Sequence, residues 1–216
     1  MKMLMKEWKL CMHPMGYFML MCAALILVPG YPYGVSCFYM GLAIFFICLT
    51  ARENHDASYT LTLPVSRRDA VRARILFCTV LEAADLLLMI VFILVKNAIG
   101  YPPNPAGLDA NAALVGEGMI IFAIFNMVFF PNYYRDISKP GKAFVFAAAA
   151  VFLWIILEVV GTYTLPFVRD VLDQPDPRNM SDKLLFTLGG LALFIAGTAW
   201  SVQSSAKKFE ALDLSL

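Results

Sequence analysis

The chain has 216 residues, of which 60% are hydrophobic and 15% charged, and its mean hydropathy is +0.70. Soluble domains carry about 25% charged residues, so this chain cannot cover itself in water and reads as an all-α polytopic membrane protein, with 1–216 a single transmembrane domain. The formal net charge of +1 says nothing by itself about nucleic-acid or acidic partners; no nucleic-acid partner is expected of a membrane-spanning chain.

The first twelve residues, MKMLMKEWKLCM, have Met1, Leu4, Met5, Trp8, Cys11 and Met12 at helical spacing, with Lys2, Lys6 and Lys9 opposite. That pattern predicts an interfacial helix over 1–12, with Trp8 and the lysines at the level of anionic headgroups. His13-Pro14 then permits a bend. A spanning helix needs about 20 apolar residues, and six segments approach that length: Cys11–Val28, Tyr33–Thr50, Ile75–Val95, Asn111–Phe130, Ala143–Val160 and Leu184–Val202. The first two are short and adjoin Pro14, Pro29 and Pro32. Two spans are preferred there over a shallow hairpin. The first apolar segment ends in LVPGYPYG and shows no signal-peptidase pattern.

Charge sets the orientation. Lys2, Lys6, Lys9, Arg52, Arg67, Arg68, Arg72, Arg74, Arg135, Lys139, Lys142, Lys207 and Lys208 fall on one side of these spans. Only Lys96, Arg169, Arg178 and Lys183 fall on the other. By the positive-inside rule both termini of this multi-pass chain are expected in the cytoplasm. Of the outer connections, PGYPYG is a tight turn and GYPPNPAGLDA excludes a helix. The longest, 162–183, contains LPFVRDVL, a candidate amphipathic helix, and the turn-rich DQPDPRN. Asn179-Met180-Ser181 is a glycosylation sequon only in a eukaryotic secretory pathway. Cys11, Cys22, Cys37, Cys48 and Cys78 lie in or beside apolar segments without paired spacing, as expected of small apolar residues rather than disulfide or zinc partners.

Segment 51–74 is the most informative. Asp56 is predicted to cap a short helix over 57–61. Pro64 stops it, and Ser66 with Asp69 makes a capping box that starts a second helix continuous with span three. A short helix carrying Tyr59, Leu61 and Leu63 into water suggests docking into a partner's groove. The run LTLPVSRRDAVRARIL, preceded by Glu53 and the short helix, resembles the membrane subunits of ABC-2 type transporters, closest to the small six-span permeases of bacteria and archaea. Local similarity covers Glu53 to Phe77; elsewhere the likeness is one of layout.

The resemblance implies a place in a prokaryotic plasma membrane, six spans, an N-terminal elbow helix and a coupling helix between spans two and three. It implies ATPase-subunit contact through Asp56, Ser58, Tyr59, Thr60, Leu61, Leu63, Pro64, Arg67 and Arg68. It also implies an exporter of an amphipathic peptide, bacteriocin or drug-like substrate, built as a homodimer or heterodimer of permeases in membrane lipid. SKPGK (Ser138 to Lys142) lacks phosphate-loop spacing. No cofactor is expected in this chain, and ATP and Mg belong to a separate ATP-binding subunit.

Glu82 and Asp85 share a face of span three, roughly 10–15 Å from its start. Glu117 lies in span four and Glu158 near the outer end of span five, where a surface position is expected. Intramembrane acids normally face a bundle interior or cavity. Glu82, Asp85, Glu117 and Asn126 are therefore translocation-path candidates for a cationic or amphipathic substrate, or for protons. A structural alternative has the acids protonated or hydrogen-bonded to Asn126, Thr79 or a second subunit. A rival function is an ion-coupled secondary transporter or channel using Glu82 and Asp85. A membrane enzyme is disfavoured: His13 and His55 are the two histidines, and neither a metalloprotease nor a serine-hydrolase motif is present.

Overall fold

The computed structural model describes residues 5–8, 12, 14–100 and 102–212. Residues 5–8 are helical. They are followed by α1 (Pro14–Leu20), a 3-10 segment (Met21–Leu27), α2 (Gly34–Glu53), α3 (Asp56–Leu61), α4 (Arg67–Ile99), α5 (Ala112–Tyr133), α6 (Pro140–Thr164) and α7 (Met180–Glu210), with a π-helical turn at Val168–Leu172. No strand occurs among the described residues.

Five helices, α2, α4, α5, α6 and α7, are long and apolar enough to cross a membrane. They coincide with the second to sixth expected spans. The first expected span is a different object. Pro14–Leu27 is a shorter apolar helix, half α and half 3-10, about 25 Å long against a hydrocarbon core of about 30 Å. Pro14 starts it, and the Pro29-Gly30 turn, with Gly30 at φ +78°, ends it.

Helix α5 is the axis of the bundle. It packs on α7, α6, α2 and α4, and 78% of its apolar window is buried, against 22% for α6 and 28% for α7. The outer helices therefore turn most of their apolar surface to lipid. The α5–α7 crossing is close because both helices carry glycine where they meet: a Cβ on Gly190 would lie 2.4 Å from the Gly116 carbonyl oxygen. Small residues let helix backbones approach in this way, and dispersion then holds them.

Helix α4 begins as the sequence predicts. Ser66 is its N-cap, accepting from the Asp69 amide at 3.0 Å while its hydroxyl donates to the Asp69 carboxylate at 2.6 Å. The helix then runs unbroken for 33 residues, about 50 Å, so one end projects well beyond the hydrocarbon. Gly100, at φ +71°, terminates it.

Candidate functional site

At the basic end of the bundle, α3 is held by buried ion pairs. Arg74, 4% exposed, donates to Asp56 at 2.6 Å and to Glu7, itself 2% exposed. Lys6 binds the Asp56 carboxylate at 2.9 Å and donates to the Thr60 hydroxyl at 2.6 Å. The N-terminal turn, α3 and the projecting end of α4 are thus tied through one cluster. A second tie joins α4 to α7: Arg67 donates to the carbonyls of Phe209 and Leu212, at 3.0 and 2.7 Å, capping the C-terminus of α7. Between α3 and the bundle lies a cavity of about 330 Å³, walled by Ala57, Thr60, Arg74, Tyr134 and Phe209 among others.

Two expectations change here. Asp56 does not cap α3. It is the first helical residue, the N-cap is His55 in the left-handed region at φ 50° without a side-chain cap bond, and the Asp56 carboxylate is committed to Lys6 and Arg74. Lys6 does not face lipid headgroups, because Asp56, Glu7 and Thr60 surround it. Met5 and Trp8 are exposed, as expected, whereas Met1, Lys2, Leu4, Lys9 and Cys11 lie outside the described residues. Of the residues expected to meet an ATPase, Ser58, Tyr59, Pro64 and Arg68 are exposed and Leu63 is half-buried, while Asp56, Thr60 and Arg67 bond inside the chain. The Leu61 side chain lies outside the described residues. Sequence reasoning missed Glu7; its signal was a lone acid among lysines, on a helix that needs one polar group turned inward.

The membrane-embedded acids are buried together. Glu82 is 0% exposed and accepts from Asn126 Nδ2 at 2.9 Å. That amide also reaches the Thr198 hydroxyl at 3.2 Å. Asp85, likewise 0% exposed, has neither oxygen hydrogen-bonded, and the same holds for Glu117 at 1%. Helix α2 can pack over Glu117 because it presents Gly34, where a Cβ would lie 3.0 Å from Oε1. Cys37, one turn along α2, lies within electrostatic reach of Asp85, Glu117 and Glu82. Thr79 bonds the Ile75 carbonyl instead of an acid. Among the described residues no group of three His, Cys, Asp or Glu side chains can hold a metal ion.

Glu158 is not a free surface carboxylate. It is half-buried and accepts from the Leu108 amide at 2.7 Å and the Thr162 hydroxyl at 3.2 Å, pinning the 102–111 connection. The end of the bundle opposite the basic one is closed by further ties. Lys96 donates to Tyr33 at 2.8 Å and to Asp109. Lys183 binds Asp176 at 2.8 Å and the Gln174 carbonyl. Asn111 caps α5 and donates to the Leu172 carbonyl at 2.7 Å. Asp173 accepts from the Asp109 amide at 2.8 Å, and burial pushes its carboxyl above the ordinary range. The expected short amphipathic helix of the longest loop is present over 166–172, π-helical at Val168–Leu172, with Leu172 buried and Arg169 and Asp170 exposed.

A family model described as ABC-2 family transporter protein matches residues 2–210, nearly the whole chain. No curated protein and no solved structure matches the sequence. The spanning helices make this a multi-pass membrane protein, and the family implies the permease of an ABC transporter that works with an ATP-binding partner. With the match running from the N-terminal turn to the end of α7, this chain belongs to the ABC-2 family of transporter proteins.

Proposed function

We propose that the chain is the membrane subunit of an ABC exporter. Its basic end is cytoplasmic, Pro14–Leu27 is the sixth membrane segment, residues 5–8 belong to an elbow helix, and α3 is the coupling helix. The observation that carries this reading is the attachment of α3. A six-residue helix cannot hold itself in water, yet this one is fixed by Arg74 to the projecting end of α4 and by Lys6 to the N-terminal turn, with Tyr59 53% exposed beyond it. A push on Tyr59 and Ser58 therefore passes through buried ion pairs into a continuous 33-residue helix. Closure of two ATP-binding subunits would supply that push. A second permease, identical or similar, would complete the translocation path, along which Glu82, Asp85, Glu117 and Asn126 lie, and the cargo would be an amphipathic peptide or drug-like molecule.

The test is purification of the tagged chain from its own cells in mild detergent, with ATPase activity measured on whatever accompanies it. An ATP-binding subunit should co-purify, and Tyr59→Asp should lower its recovery at least tenfold while the permease stays monodisperse. A chain that purifies alone and moves ions or solutes in liposomes without ATP would replace this reading with an ion-coupled carrier, the rival that the unpartnered acids favour.

A further inference from the structure

The acids of the bundle form a row that continues to the far face. Glu82 and Asp85 lie three residues apart on α4. Gly118, next to Glu117 on α5, meets Leu86 of α4 and Cys37, a Cβ there lying 3.0 Å from Leu86 and 3.2 Å from Cys37 Sγ. Glu117 is within electrostatic reach of Glu158 of α6, and Glu158 binds the Leu108 amide next to Asp109. Asp173 in turn holds the Asp109 amide. Three helices and two connections thus bring acids together in succession, from the middle of α4 to the cap. Inside the bundle five of the six carboxyl oxygens of Glu82, Asp85 and Glu117 have no hydrogen-bond partner, and no ion pair involves these residues among the described ones. Asn126, 0% exposed, is aimed into the row by its bond to Glu82 and leaves its own Oδ1 unpartnered. Acceptors without donors, in an apolar interior, favour the arrival of a positive charge.

Resting on the permease reading above, we propose that this row recognises the positive charge of the transported molecule, so that the cargo class is lipophilic organic cations, and that Glu82, Asp85, Glu117 and Glu158 pass that charge stepwise to the far face. A metal ion fits less well: among the described residues no three metal-ligating side chains converge, and Leu86, Met89 and Cys37 supply apolar and sulfur surface beside the acids. Entry is placed beside the Met21–Leu27 segment, which packs on α4, has Cys22 within electrostatic reach of Asp85 and carries the poorer hydrogen-bond geometry of a 3-10 helix. Exit is placed under the cap, where Lys96 pairs with Asp109 and Lys183 with Asp176, holding the two connections closed.

The test uses a matched pair of probes, tetraphenylphosphonium and tetraphenylborate, nearly equal in size and opposite in charge. Equilibrium binding of each to the full chain in lipid nanodiscs is measured against empty nanodiscs. The cation should bind saturably and the anion should not, and Asp85→Asn or Glu117→Gln should weaken cation binding at least tenfold. Neither substitution removes a hydrogen bond found in the structure, so both should give monodisperse, helical protein, and Asp85→Asn alone suffices if another variant fails to fold. Equal binding of the two ions, no saturable binding of the cation, or unchanged binding in Asp85→Asn would each overturn the proposal. Recovery of the ATP-binding subunit is scored on the same preparations, so failure of the cation row and failure of the exporter reading are told apart.

Discussion

Arg74 and Asp85 lie on the same helix, about three turns apart, and meet opposite surroundings. Arg74 is buried with two carboxylates against it, and the neighbouring Lys6 completes a cluster that joins three elements. Asp85 is buried as deeply and bonds to nothing. Burying a charge costs several kcal/mol unless partners compensate. The first site meets that cost within the chain, and its role is mechanical: it makes α3 and the projecting end of α4 one body. The second has no such partners in the chain, and a buried intramembrane acid of that kind marks a path or a site for a charge. The far cap resembles the first region, with Lys96 and Lys183 each matched to an acid. One chain therefore holds two paired ends and an unpaired middle.

Removing a partner at the paired end should have the largest effect. Arg74→Ala leaves Glu7 and Asp56 buried without their cation and should cost about 3–5 kcal/mol, read as a lowered thermal midpoint in detergent. Adding Glu7→Gln and Asp56→Asn should recover part of the loss, and a strictly additive outcome would show that the three side chains do not act as a unit. At the far cap Lys183→Met should cost about 2 kcal/mol, since Asp176 is partly solvated. Hydrogen exchange should then rise across 172–183 while α3 stays protected. Ser66→Ala removes the N-cap of α4 and should cost about 1 kcal/mol, visible as faster exchange of the Asp69 amide alone. The smallest effect is expected in the middle. Asp85→Asn should change stability by no more than about 1 kcal/mol in either direction, because no bond is lost. A large destabilisation there would dissolve the contrast between the two regions.

The elements that local chemistry dictates were legible beforehand. Ser66, Asp69 and Pro64 act on their own backbone, so the start of α4 and the break before it followed from spacing alone, as did the five long apolar helices. The first segment was less legible. Hydropathy counts residues but does not distinguish α from 3-10 winding, and Pro14 and Pro29 shorten what composition suggests. The role of Asp56 was misassigned because a capping preference is local, whereas Lys6 and Arg74 reach it from elements 50 and 18 residues away. The turn of His55 into the left-handed region moved the helix start by one residue. Glu82 and Asn126 were both singled out, and the bond that joins them across 44 residues was among the partners weighed. Glu158 was assigned by depth to the surface. Its actual partners, the Leu108 amide and Thr162, depend on how the 102–111 connection folds back, which helical periodicity does not encode.

The most direct test of the contrast compares Arg74→Ala and Asp85→Asn in one preparation of the chain with its ATP-binding partner. Thermal midpoint and ATP-dependent uptake of tetraphenylphosphonium into inverted vesicles are measured side by side. The account predicts that Arg74→Ala melts well below wild type, whereas Asp85→Asn melts with wild type and loses at least tenfold of the uptake. Asp85→Asn that melts far below wild type, or that transports the cation undiminished, would contradict it.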